Sequence, residues 1–255
     1  MRTPFIAGNW KMHKTVSETV KYVKEFRQLV HDLAGVEIVL AVPFTAVHAA
    51  AEAARNSTVG IAAQDVHWAA QGAFTGEISA PMIREAGAEY VIVGHSERRT
   101  LFGETDASVN RKLTAALGVG LTPIVCVGET KGQRERSETF AVLDAQLERG
   151  LEGIESERLP LLVIAYEPVW AIGTGLNATA AEAAEAHGHI RGRLRGRHGD
   201  EAAARCRIIY GGSVKAENAR ELVSQPDVDG ALVGGASLDV QGFFAIVTQS
   251  RDATV

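Results

Sequence analysis

Short apolar runs recur along the whole chain, at Phe5–Ala7, Ile38–Val42, Val59–Ala63, Tyr90–Val93, Leu121–Val127, Leu161–Tyr166, Arg207–Tyr210 and Gly230–Val233. They are rich in Val and Ile and nearly continuous rather than alternating, which is the pattern of parallel strands buried on both faces. Between them lie helix-like stretches, among them Val16–Leu33, Ala46–Ala54, Ala107–Leu117, Glu138–Leu151, Ala178–Arg195 and Ala216–Leu222. In the first of these, Val16, Val20, Val23, Phe26, Leu29 and Val30 share one helical face and Lys, Glu and Arg take the other. Strands alternating with helices require a parallel sheet with right-handed crossovers. Eight such units in 255 residues predict closure into a (β/α)8 barrel, eight parallel strands surrounded by helices. An open doubly wound sheet is the alternative, but it usually carries a Gly-rich turn after its first strand, and Gly8-Asn9-Trp10-Lys11 is not one. No linker or composition shift divides the chain, so residues 1–255 are expected to form a single domain.

Composition narrows the function classes. A hydrophobic fraction of 46% is ordinary for a globular protein, and no apolar run approaches the length that spans a bilayer. Met1–Pro4 leads directly into a strand, without the pattern of a secretory leader. The net charge of −5 argues against a nucleic-acid partner. Arg191, Arg193, Arg195 and Arg197 form the one basic cluster, and it is expected to be a solvated helix face. Cys126 and Cys206 each lie in or beside a strand-like run and read as small core residues, which favours a reducing, cytoplasmic setting. His187 and His189 sit two apart in a predicted helix and diverge, and no Cys or His cluster has metal spacing. Neither a metal nor a cofactor is expected.

Chemistry gathers at the strand ends. A barrel of this kind builds its active site from the loops that follow the strands. Asn9 and Lys11 follow the first, Gly94-His95-Ser96-Glu97 the fourth, and Glu167-Pro168-Val169-Trp170 the sixth. Gly211-Gly212-Ser213 follows the seventh and Gly234-Gly235-Ala236-Ser237 the eighth. Glu167 leaves the apolar stretch Val163–Tyr166, which is expected to raise its pKa and make it a better base. His95 precedes a predicted helix that Ser96 could cap, and a helix N-terminus favours the neutral ring. Lys11 offers the fixed positive charge that an enediolate or a phosphate needs, and the Gly pairs let backbone N–H groups approach an anion. Each of these residues alone has a blander reading as a cap, turn or surface group; their convergence on one rim favours catalysis. Ser96 and Ser213 lack the pattern of a nucleophile elbow, and no base stands beside Cys126 in the sequence.

These segments resemble the triosephosphate isomerase family. The resemblance is carried by Asn9–Met12, Gly94–Arg99, Cys126–Glu129, Ala165–Gly175, Tyr210–Ser213 and Val233–Ser237, in order along residues 4–249. It implies a TIM barrel that interconverts dihydroxyacetone phosphate and D-glyceraldehyde 3-phosphate without a cofactor, in glycolysis and gluconeogenesis. It further implies Glu167 as the base, neutral His95 as the electrophile, Lys11 as the neutralising charge and Asn9 as an orienting group. Backbone groups of Gly173, Ser213, Gly234 and Gly235 would hold the phosphate, with Glu97 and Ser96 in support. Val169–Thr174 resembles the family's lid. Gln64–Ser79 resembles a long loop that enters a neighbouring subunit, bringing Thr75 to the partner's site in a homodimer. The sequence departs from the family at the lid's far hinge, Leu176-Asn177-Ala178, where Lys is usual at the first position, and at Ala180, where Pro is common. Two rivals are an isomerase of a four-carbon ketose phosphate and a non-catalytic phosphate-binding barrel; the second predicts loss of Glu167, His95 or Lys11, and all three are present.

Overall fold

The computed structural model describes residues 2–171 and 178–253. In chain order the elements are β1 (Phe5–Asn9), α1 (Val16–Leu29), β2 (Glu37–Val42), α2 (Val47–Ala54), β3 (Val59–Ala63), α3 (Ala80–Glu85), β4 (Tyr90–Val93), α4 (Ser96–Phe102) and α5 (Asp106–Gly118). They continue with β5 (Thr122–Val127), α6 (Lys131–Glu135), α7 (Thr139–Gly150), β6 (Val163–Tyr166), α8 (Ala180–His198), α9 (Asp200–Arg205), β7 (Arg207–Tyr210), α10 (Ala216–Val223), β8 (Gly230–Val233) and α11 (Val240–Asp252). The eight strands pair in parallel, each with its sequence neighbours, and β1 closes on β8. The predicted closed barrel is therefore the observed fold.

Two apolar layers follow from the two-residue period of the strands. Phe5, Ala7, Val39, Ala41, Ala62, Ile92, Ile124, Cys126, Val163, Ala165, Ile209 and Leu232 fill the barrel interior. The alternate residues, such as Ile6, Ile38, Leu40, Ile164 and Ile208, pack outward against Phe26, Leu113, Leu143, Ile190 and Phe243 of the helices. This parity matters for the site. A residue two beyond an inward-facing strand residue also faces inward, so Asn9 after Ala7 and Glu167 after Ala165 both aim into the barrel mouth.

Several boundaries differ from expectation. The sixth strand begins at Val163, because Ser156–Leu161 forms a 3-10 helix containing Pro160, which supplies no ladder donor. The first helix stops at Leu29, where residues 30–33 turn before Gly35 at φ +82°. The basic cluster on α8 is not uniformly solvated. Arg191 is buried and paired with Asp227 (3.1 Å) and Asp229 (2.6 Å), while Arg193 and Arg195 reach surface carboxylates. Among the described residues no helix is long and apolar enough to cross a membrane.

Candidate active site

At the C-terminal mouth of the barrel, Asn9, Lys11, His95, Glu167, Ser213, Gly234 and Gly235 line one cavity of about 270 Å³, together with Leu232 on its floor. The backbone explains how β1 delivers its two residues. Asn9 is buried, and its Oδ1 accepts the Lys11 N–H (3.0 Å). Lys11 takes a positive φ of 51°, costly for a residue with a Cβ, and Gln64 Nε2 ties its carbonyl down at 2.9 Å. The result is Lys11 Nζ at the cavity, 2.5 Å from Glu97 Oε1.

Glu167 and His95 meet in the barrel mouth. Glu167 Oε1 lies 3.0 Å from His95 Nε2, and Glu167 Oε2 accepts the Ser96 N–H at 2.9 Å. Both side chains are buried, to 1% and 5% exposure for the whole residues. The main chain of Glu167 is fixed by its N–H to Val127 O (2.8 Å). Two glycines make room for it: a Cβ at Gly128 would fall 1.8 Å from Glu167 O, and one at Gly211 would fall 2.8 Å from Glu167 Cγ. His95, not Ser96, caps α4, because His95 Nδ1 accepts the Glu97 N–H at 3.2 Å.

The expected upward shift of Glu167 is not what this arrangement produces. Burial does raise it, but His95, the Ser96 N–H and Lys11 outweigh burial and hold the carboxyl below its ordinary value. For His95, burial opposes the charged ring while the Glu167 carboxylate favours it, and the net direction is upward. The hydrogen bonds decide between these influences. A ring nitrogen that accepts an N–H carries no proton, so the acceptor bond at Nδ1 belongs to the neutral Nε2–H tautomer, which donates to ionised Glu167.

The remaining candidates are placed as follows. Glu97 and Ser96 touch the site through Lys11 and Glu167. Thr75 stands apart, on a second cavity of about 510 Å³ with Phe74, Arg98, Phe102 and Arg111. Gly173, Leu176 and Asn177 lie outside the described residues. Sequence reasoning missed Glu129, a fully buried carboxylate just beyond β5 that accepts from Trp170 Nε1 (2.9 Å) and from Tyr166 Oη (3.1 Å). Its signal was available, since it follows a strand at the same rim. Cys126 and Cys206 are free and buried, and burial pushes the Cys126 thiol well up. Among the described residues no group of three His, Cys, Asp or Glu could hold a metal ion. A larger cavity, about 640 Å³ between α7 and α8, contains no strand-end residue.

The family described as triosephosphate isomerase matches residues 4–250 of the sequence. The chain belongs to the triosephosphate isomerase family. It is an isomerase enzyme, as are its relatives. It is 56% identical over 251 residues to the triosephosphate isomerase of Moorella thermoacetica, covering 98% of this chain and 100% of that one. It is 52% identical over 247 residues to that of Solibacter usitatus, covering 97% and 99%. The crystal structure of triosephosphate isomerase from Bartonella henselae superposes with a TM-score of 0.88 at 42% identity, covering 98% of this chain and 99% of the other.

Proposed function

We propose that this member of the triosephosphate isomerase family interconverts dihydroxyacetone phosphate and D-glyceraldehyde 3-phosphate, in glycolysis and gluconeogenesis, with Glu167 as the base. The observation that carries the reading is the buried Glu167–His95 contact at 3.0 Å, set beside Lys11 and the Gly234–Gly235 turn in one cavity. Glu167 takes the pro-R proton from C1 and returns it at C2, and neutral His95 donates from Nε2 to the enediolate oxygens. This division between Glu base and neutral His is the known mechanism of the family, carried over to these residues. Lys11 balances the developing negative charge, Asn9 orients the substrate, and Gly173, Ser213, Gly234 and Gly235 hold its phosphate through backbone N–H groups. The lowered pKa of Glu167 is compatible with this role. A substrate oxygen that takes over the His95 Nε2–H removes one of the interactions holding the carboxyl down, and burial, which raises it, remains. By the same carry-over Val169–Thr174, of which residues 172–174 lie outside the described residues, serves as the lid that excludes water, so that the enediolate does not lose phosphate.

We further infer one domain over residues 1–255, a cytoplasmic setting, no metal or organic cofactor, and a homodimer built through Gln64–Ser79. Strands from Phe5 to Val233 all belong to one closed sheet, which supports the single domain. Phe74 and Phe102, exposed at 44% and 68%, border the cavity that Thr75 lines and give a second chain apolar surface to cover. A coupled assay with glyceraldehyde 3-phosphate tests the activity, and Glu167→Gln tests the base. Proton transfer by a positioned group contributes roughly 10²–10⁴-fold, so the Gln variant should lose at least that much kcat. Retention of more than about a tenth of wild-type turnover would remove Glu167 from the reaction.

A further inference from the structure

On one flank of β5, the polar groups of the strand's end are met by side chains rather than by a neighbouring strand. Alternate residues of a parallel strand bond to opposite neighbours. Val127 O and Glu129 O accept from Glu167 N (2.8 Å) and Val169 N (3.1 Å), on the β6 flank. On the β4 flank, pairing ends at Val93 with Val125, because the chain turns away at Gly94 toward α4. There Cys126 O accepts from Arg99 Nη2 at 3.2 Å. Both polar groups of Gly128 go to a single carboxamide: Gly128 N–H donates to Gln146 Oε1 at 2.7 Å, and Gln146 Nε2 donates to Gly128 O at 3.2 Å. Gln146 comes from α7, three residues after buried Leu143 and one before buried Leu147, on a helix that packs against α5 and β5.

We infer that Gln146 is a positioning residue for the isomerase reaction, acting on Glu167 through Gly128. The inference rests on the reading of Glu167 as the base. Gly128 is the residue whose Cα presses on the Glu167 carbonyl so closely that no Cβ fits, so a displacement of Gly128 is passed to the Glu167 main chain by contact. The Glu167 carboxylate is held to His95 at 3.0 Å and to Ser96 at 2.9 Å, and both distances depend on where that main chain sits. Gln146 and Glu167 also line a shared cavity of about 270 Å³ that includes Ser96 and Val169 but neither Lys11 nor Ser213. Gln146 is therefore behind the base, away from the phosphate loops. A carboxamide carries both an acceptor and a donor, so one Gln side chain satisfies the N–H and the C=O of the same residue, Gly128.

The chemistry selects the variants. Gln146→Leu keeps approximate shape and removes both bonds; Gln146→Glu keeps the acceptor for Gly128 N–H and loses the donor. Misplacement of a reacting group by about 1 Å can cost 10²-fold. We expect Gln146→Leu to lower kcat by about tenfold or more with KM within about twofold, and Gln146→Glu to fall between it and wild type. The acid limb of the kcat/KM profile should move to higher pH in both, because Glu167 loses part of the contact with His95 and Ser96 that holds it down. A role in fold stability alone would lower the melting temperature and leave kcat per folded molecule and the pH profile unchanged, and that result overturns the inference. So does a rise in KM with kcat unaltered. If the Leu variant does not fold, the Glu variant decides by the same criteria. Glu167→Gln, measured in parallel, separates the two readings. Activity retained in Glu167→Gln removes the base, whereas its loss beside fully active Gln146 variants removes only the positioning role.

Discussion

His95 shows how two influences on one side chain are weighed. The Glu167 carboxylate draws the ring toward its charged form, and the Glu97 N–H aimed at Nδ1 requires a lone pair that the charged ring lacks. Breaking that bond would remove the N-cap of α4, and loss of a cap costs about 1 kcal/mol. The neutral Nε2–H tautomer satisfies the three hydrogen bonds: Nδ1 accepts, Nε2 donates, and Glu167 remains ionised and accepts twice, while Glu97 Oε2, 3.7 Å from Nδ1, is beyond hydrogen-bond reach. The expected result is a nitrogen NMR spectrum with Nδ1 unprotonated and Nε2 protonated at neutral pH and above. Protonation of both nitrogens at neutral pH would mean a resting ion pair and would contradict the neutral electrophile. The inward aim of Glu167 was legible in the sequence, because Ala165 sits two positions earlier on a buried strand. Its lowered pKa was not, since the partners that lower it, His95 and the Ser96 N–H, come from a strand end some seventy residues away and meet it only on closure of the barrel.

At the scale of elements, the strands were legible and the contacts that tie helices to them were not. The eight apolar runs announce themselves because each must be buried on both faces. Arg191 read as surface because α8 repeats Arg at every second position, and nothing local distinguishes the one that meets Asp227 and Asp229. Gln146 is one polar residue on an amphipathic helix, and its partner is a backbone unit that no side-chain pattern encodes. His187, also on α8, is a case with a measurable consequence. It is fully buried, its Nδ1 lies 3.0 Å from Asp227 O, and its ring faces Tyr166 and Tyr210. Burial pushes its pKa down to about 4, against the opposing pull of the Asp227 carbonyl and Asp229. In the unfolded chain the ring titrates near 6.5, so between those values the unfolded state binds the extra proton. Stability is then complete above about pH 6.5 and falls as the pH drops toward 4, by about 3 kcal/mol from this ring. Denaturant unfolding at fixed protein concentration should show this slope, and His187→Gln should flatten it whatever the variant's absolute stability. An unchanged slope in the variant would place the acid sensitivity elsewhere.

For the whole molecule, the exposed apolar surface demands an account. Met12, Met82, Leu101 and Phe102 are exposed at 94%, 54%, 71% and 68%, and Val16, Phe44, Phe74, Phe140 and Leu161 are also exposed. Single exposed apolar residues are ordinary, but Phe102 and Phe74 share the edge of one cavity with Thr75. Trp68 and Phe74 both stack on His67, at 4.2 Å between ring centroids, and the loop's base is closed by His67 N–H to Ile78 O at 2.8 Å. A loop so braced is preformed, so docking it into a second copy costs little ordering entropy. Thr75→Arg then acts through charge. In the proposed homodimer it puts a charge where the partner's pocket closes, and an unpaired buried charge costs several kcal/mol. Thr75 lies outside the cavity that holds its own chain's Glu167, so under the proposed homodimer a loss of activity in this variant reports the partner's site rather than its own. Sedimentation velocity at micromolar concentration should show the variant shifted to monomer, with specific activity falling in step and recovering as protein concentration rises. A dimer of undiminished activity would sink the placement of the loop, and a monomer with full activity would show that each barrel needs nothing from its neighbour.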